Sequence, residues 1–534
     1  MRRRALAKWA ADRGPGATPG DPAAGYEALL TEDYVSCGIP WELFGFAEDV
    51  LGVEEPLPGR TGKNAEVGHA WNVVTLDDGS ELVVSNCLQC HAGYFDGELI
   101  VGLGKASADF TTSLSEFAEP LPDLPETSEA NAAFNKFKAR AAALGPYSTM
   151  LTIGANPAVM FAIILLSHRD PVTLAWSDEP RYELSTELVI PADPPPWWRV
   201  GKKASNFANG MSRRDHRGTM VLASSLCTDS VEEAGPVVDY FADIQAYLAS
   251  LEAPRYPFAI DEALAADGAE IFECNCAGCH GTYADDPEAE TYPNLLIPLD
   301  VIGTDASFAT LSAEGGFYHH LKDWFNESFY GMFSEVVTDD PTPGYTAPPL
   351  DGIWATAPYF HNGSVPSIAL VLDSTARPSR WRRLDYDSTH FDQAALGWPW
   401  SRRRPRPKRR RASASSSTTP PRSATATAAT PSAITSTTPS ARPCSSTSRR
   451  SDAPVIVARP RSHAAIRRTR RPSVAGTARR AVRGAHTTLL STAGTVRRWS
   501  RRIRITARLD FDQSVPASLL GARGARGRPR RIRR

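Results

Sequence analysis

The chain contains Cys87-Leu88-Gln89-Cys90-His91 and Cys276-Ala277-Gly278-Cys279-His280, two copies of the spacing Cys-x-x-Cys-His. The two-residue spacer lets both sulfurs reach one edge of a flat ring from a single helical turn. The histidine that follows turns its imidazole toward the same place. This is the attachment pattern for c-type haem: the thiols add across the two porphyrin vinyl groups, and the histidine binds the iron. A zinc knuckle or a redox Cys-x-x-Cys needs no histidine directly after each pair. Two covalently bound haems c are therefore expected. Cys87, Cys90, Cys276 and Cys279 are the attachment residues, and His91 and His280 the proximal ligands.

Eight cysteines in 534 residues are too few for a disulfide scaffold. Cys274 is left over beside the second motif, either as a free thiol or as a partner of Cys37 or Cys227.

The net charge of −1 hides two unlike parts. Residues 1–380 carry 23 basic and 54 acidic side chains, a net of −31, and the remainder carries 36 and 6, a net of +30. The composition excludes a collagen-like chain, a coiled coil and a membrane bundle. No apolar run reaches the ~18 residues of a spanning helix; the longest, Ala158 to Leu166, reads as a short buried segment. The N-terminus is basic but has no apolar stretch for a complete secretory signal. Because haem c is attached outside the bacterial cytoplasm, a periplasmic or secreted location is expected, with the start codon placed too far downstream.

Local patterns give a disordered N-terminus over 1–25 and a hairpin over 71–84 around Asp-Asp-Gly-Ser. A helix over 127–145 is capped by Thr127 or Ser128. An extended proline loop occupies 191–198. Helices end near Leu251 and run over 260–273 into the second motif. Pro254 and Pro257 mark a boundary between domains over 26–253 and 254–395. The stretch 339–352 reads as loop. The fold class expected is mainly α: two cytochrome c-like haem domains with long loops, then a disordered tail over 396–534.

That tail is rich in Arg, Ser, Thr, Ala and Pro, as in basic disordered segments. It has no interleaved aromatics or folded module, so no nucleic-acid partner is expected. A further reading fits better. GC-rich codons for residues 423–451, read two nucleotides further on, permit GYGNGGHTFGDHLDDAERAALLEYLKTL, which ends in an amphipathic helix. A frameshift near residue 400 is expected on that ground.

The pair of motifs resembles the bacterial dihaem cytochrome c peroxidases and their relatives. These include the dihaem enzyme that matures methylamine dehydrogenase and the dihaem rubber oxygenases. The most specific segment is Pro349-Leu-Asp-Gly-Ile-Trp-Ala-Thr-Ala-Pro-Tyr-Phe-His361-Asn-Gly-Ser-Val-Pro-Ser, and the rubber oxygenase branch is the nearer one. The resemblance spans roughly residues 60–390. It implies a reactive first haem that takes peroxide or dioxygen, and a six-coordinate second haem that stores or relays an electron. It also implies a small redox protein as electron donor or acceptor, an organic substrate in the oxygenase branch, and a Ca2+ ion in some relatives.

Many such peroxidases place a methionine ligand about fourteen residues after the histidine matched by His361; here Thr375 occupies that place. By the resemblance His361 then becomes the candidate sixth ligand of the second haem, the alternative being a supporting role beside it. Met211, His216 and Met220, with three arginines, lie between the motifs. They read either as groups facing the first haem, with Met211 and His216 as catalytic candidates, or as a polar loop with a core methionine. Trp197 and Trp198 read as an electron relay or as aromatics capping the proline loop. Met332 does not sit at the family position, and the paired His319 and His320 default to surface residues. The expected function is a dihaem oxidoreductase acting on peroxide, dioxygen or an organic substrate. The alternative is a pure electron carrier.

Overall fold

The computed structural model describes residues 20–51, 54–186, 188–284, 286, 289–311, 319–336 and 343–403. The expectations for residues 1–19 and for the tail from 404 onward lie outside the described residues; the disorder expected over 1–25 and from 396 is corrected where the chain is described, since Pro22–Gly25 lie in a helix, Leu396 and Trp398 are buried, and Trp400–Arg402 pairs with Trp381–Arg383. The described residues of 20–44 and of 54–403 belong to one compact unit.

The helices Pro22–Thr31 and Val231–Ser250 form its spine. A Cβ on Gly25 would stand 2.0 Å from the Asp243 carbonyl oxygen, so only glycine permits this approach. Asp21 caps the first helix, its side chain accepting from Ala23 N. Ser230 caps the second through Glu233 N. Leu29, Tyr34, Phe241, Ile244 and Leu248 are buried between them. The core continues into the helix Ala158–Ser167 and the aromatic group Trp324, Phe325, Phe329 and Tyr330. A second cluster joins Phe95, Leu103 and Trp198 to Trp354, Tyr359, Phe391 and Trp398.

Several local expectations hold. The hairpin is Trp71–Thr75 paired with Glu81–Ser85. The helix Glu129–Leu144 is capped by Ser128, which accepts from Asn131 N. The loop expected to be extended over 191–198 is so only as far as Pro196: Trp197 and Trp198 open the 3-10 helix Trp197–Lys202.

The fold class is corrected. Among the described residues helix makes up 39% and strand 14%, spread over several small sheets, so they are not mainly helical. The strands are two to five residues long, too short for alternation to show in sequence. Their partners are distant: Gly38–Pro40 pairs with Leu82–Val84, and Ser212–Arg214 pairs with Ser334–Val336. The stretch expected as loop over 339–352 contains the strand Gly344–Thr346, because Leu296–Pro298 supplies its antiparallel partner.

Cys37 is disulfide-bonded to Cys227, 190 residues away. Neither is therefore the partner of Cys274.

Candidate haem sites

The first motif follows the hairpin directly. Asn86 fixes its start: Oδ1 accepts from Leu88 N at 2.9 Å, while Nδ2 donates to His69 O at 2.9 Å. Tyr34 Oη accepts from Cys87 N at 3.0 Å. The turn Leu88–His91 then presents both thiols and the imidazole. Lys105 N donates to Cys90 O and Gly102 N to His91 O, at 2.9 and 2.8 Å. Gly102 has φ +90°, and a Cβ there would press on Trp197 and Leu251 at 3.2 Å.

His91 Nδ1 lies 3.2 Å from Pro195 O. A carbonyl can only accept, so Nδ1 carries the proton and Nε2 keeps its lone pair. That is the tautomer a metal-binding histidine needs. The ring stacks on Trp197 at 4.9 Å and 23°. Burial pushes the imidazole down to about 4, so it is neutral at ordinary pH. Burial likewise pushes the Cys87 thiol up to about 11 and raises Cys90. All three groups are deeply enclosed, yet each side chain keeps some open surface. Two thiols on one helical turn, beside an imidazole whose Nε2 keeps its lone pair, fit the attachment pattern of a covalent haem.

The second motif repeats this arrangement from a different scaffold. The helix Glu262–Asn275 runs into Cys276, and the turn Ala277–His280 carries the rest. His280 Nδ1 lies 2.8 Å from Pro348 O. Burial lowers this imidazole first, and the Arg199 charge adds to it. Burial and the neighbouring Cys279 raise the Cys276 thiol. A pocket of about 240 Å³ opens beside His280, Tyr283, Tyr292, Lys202, Glu290 and Pro349.

The segment Trp197–Lys202 joins the two sites. Trp198 Nε1 and the Arg199 Nε and Nη2 groups all donate to Asp351 O, at 2.8, 3.0 and 2.9 Å. Lys202 bonds Asp351 Oδ1 at 2.6 Å and also Glu290. Burial lowers Arg199 to about 10, and burial with the Arg199 charge lowers Lys203 to about 8.

His361 lies in an aromatic slot, its ring stacked on Tyr345 at 4.0 Å and 15°. Its Nε2 is buried without a hydrogen bond. Asp305 Oδ1 stands 3.8 Å away, and the imidazole chiefly holds that carboxyl below its ordinary range. Tyr345 and Pro348 lie in one short segment, so His361 and His280 contact the same stretch of chain.

Met211 is half-buried against the main core. His216 is the N-cap residue of the helix Arg217–Ser224, and its Nδ1 is buried with no hydrogen bond. Burial lowers this imidazole, followed by the Lys203 charge. Arg217 is held by Asp215 at 2.5 Å and lies over the Phe333 ring. Among the described residues, no hydrogen bond or ring contact joins Met211 or His216 to His91. Thr375 caps nothing of the site; its backbone and hydroxyl bond Asp373. His319 and His320 open the helix His319–Glu327. Among the described residues no group of three or more His, Cys, Asp or Glu is arranged to hold a metal ion, so the calcium site gains no support.

Sequence reasoning missed Pro195 and Pro348. A signal was present: each is followed by a second proline, whose nitrogen has no hydrogen to donate. It also missed Asp193, a carboxyl raised well above its usual range by burial despite Arg199 and Arg383 nearby.

Residues 344–382 match the family described as "RoxA-like, cytochrome c-like". Two relatives come from Sinorhizobium fredii (strain NBRC 101917 / NGR234). "Uncharacterized protein y4iM" is 31% identical over 172 residues, covering 28% of this chain and 37% of that protein. "Uncharacterized protein y4iJ" is 29% identical over 177 residues, covering 24% and 30%. The chain spans about a third of the length of these curated relatives. Among the described residues no helix is long and apolar enough to cross a membrane. The matched region holds Pro348, which orients His280, and His361. It is a RoxA-like cytochrome c region, and haem-based redox function goes with it.

Proposed function

We propose that this chain is a dihaem c-type cytochrome with oxidoreductase activity. Cys87, Cys90 and His91 would hold one haem, which would supply a site for peroxide or dioxygen, and Cys276, Cys279 and His280 would hold another, which would supply a store or relay for an electron. The observation that carries this reading is the shared geometry of the two motifs. His91 and His280 each present Nε2 by giving Nδ1–H to a proline carbonyl. Bound haem supplies the iron redox couple and, where a sixth position is open, a site for a small ligand. The chain enforces ligation, excludes water and connects the sites. Trp197 lies on His91, and Trp198 reaches Asp351 O, three residues from the Pro348 carbonyl that holds His280.

His361 is the proposed sixth ligand at the second iron, on the ground of its buried, unbonded Nε2. His216 and Met211 are proposed to face the first haem. A small redox protein serves as donor or acceptor; peroxide or dioxygen is the oxidant that is reduced, and in the oxygenase reading an organic substrate is what is oxidised. The Cys37–Cys227 disulfide supports a periplasmic or secreted location.

The test is an optical titration of the protein matured with the haem-attachment machinery. A high-spin band that shifts with cyanide or carbon monoxide, and is lost with His91→Ala, is expected for the enzyme. Two low-spin haems that bind neither ligand in any redox state would establish the pure electron carrier instead.

A further inference from the structure

The strands Ser205–Asn206 and Ser212–Arg214 pair with Ser205 opposite Arg213 and Asn206 opposite Ser212. Continued by two residues, that register sets Lys203 opposite Asp215, the residue before His216. Lys203 also follows directly on the 3-10 helix Trp197–Lys202, which carries Arg199. Three basic side chains from two segments are thus brought together. Their charges act on one another: after burial, Arg199 lowers Lys203 and Lys203 lowers His216.

Among the described residues none of the three is bonded to an anion. Lys203 makes no hydrogen bond or ion pair through its side chain. Arg199 is 6% exposed and gives Nε and Nη2 to a neutral acceptor, the Asp351 carbonyl. His216 is 5% exposed, and its Nδ1 is buried without a hydrogen bond. The carboxyls nearby are committed elsewhere. Both oxygens of Asp215 accept from Arg217, and Asp351 Oδ1 accepts from Lys202. Burial favours the neutral form of Asp193. Cations taken out of water without a counter-charge are strongly unfavourable, so the cluster is complete only with an anion.

We propose that Lys203, Arg199 and His216 form a binding site for a carboxylate group. A carboxylate accepts through two oxygens, which suits an ammonium and a guanidinium edge held on adjoining turns of chain. The carboxylate has two possible sources: a propionate of the porphyrin attached at Cys87 and Cys90, or an organic acid that approaches the same haem. The site's place beside that haem rests on the proposed function, in which His216 faces it.

The test uses the haem-loaded full chain with its Lys203→Met and Lys203→Arg variants. Two properties are read: the propionate bending band in the resonance Raman spectrum, and the binding of benzoate by calorimetry. A propionate in the site predicts a band that shifts in Lys203→Met and returns in Lys203→Arg. An organic acid predicts that benzoate binds the parent, binds Lys203→Met about tenfold more weakly or worse, and recovers in Lys203→Arg. Either result supports the proposal. An unshifted band overturns it when benzoate binding is absent, or is present and indifferent to the change at Lys203. Haem content is measured first and tests the proposed function separately. A chain with no haem on Cys87 and Cys90 fails that reading, and the benzoate titration alone then decides the site. Should Lys203→Met not fold, Lys203→Gln is read in the same way.

Discussion

The Nδ1 nitrogen of His280 lies 2.8 Å from the carbonyl oxygen of Pro348, 68 residues further along the chain. His91 has the same relation to Pro195, 104 residues away. Two motifs on unlike scaffolds thus hold their histidines in the same tautomer. The proposed function puts one haem on each motif. Pyridine haemochrome assay and intact mass should give two haems per chain, and Cys276→Ala with Cys279→Ala should leave one. One or none in the unaltered protein would sink the dihaem reading.

His361 tests the second iron. Its Nε2 is buried and unbonded. Its replacement by alanine should turn that haem from low-spin to high-spin. His361→Met should raise the haem's potential, since methionine ligation favours the reduced iron. An unchanged low-spin spectrum in the alanine variant would assign the ligand elsewhere, with Met332 the next residue to replace.

Trp197 bears on both stability and electron movement. It is 6% exposed and stacked on His91. Trp197→Ala should cost about 3–5 kcal/mol in denaturant unfolding. Trp197→Phe keeps a ring and should fold nearly as well, while slowing electron exchange between the haems after a laser flash. An unaltered exchange rate in the phenylalanine variant would leave Trp197 a packing residue alone.

The Cys37–Cys227 bridge closes a loop of 190 residues. Chain-entropy reasoning assigns such a loop about 5 kcal/mol. Cys37→Ala should lower the unfolding midpoint strongly, and reductant should then have no further effect through this pair. A midpoint equal to the parent's would show that the folded state gains nothing from the closure.

Buried histidines predict acid sensitivity. Burial is the leading cause that lowers both His69 and His168 below 6.5. The unfolded chain then binds more protons below that pH, so stability falls as pH drops through 6.5 toward the folded values. Each group contributes a slope of at most about 1.4 kcal/mol per pH unit. The difference between parent and His168→Gln melting curves isolates one of them. It should grow between pH 7 and 5 in the direction that penalises the parent. A flat difference would show that His168 does not change its protonation on unfolding.

The sequence by itself determined the cysteine-histidine motifs, the Trp71–Ser85 hairpin, the capped helix Glu129–Leu144 and the helix before Cys276. Each rests on spacings within a few residues, where helix and turn geometry are set. Only the tertiary structure decided the proline carbonyls that orient His91 and His280, the stacking of Trp197, the Cys37–Cys227 pairing and the Tyr345 slot around His361. It also supplied the short strands that make the fold mixed rather than mainly helical. These contacts join residues tens to hundreds of positions apart. A carbonyl acceptor or a three-residue strand carries no periodic signature, so nothing in the local sequence marks its partner.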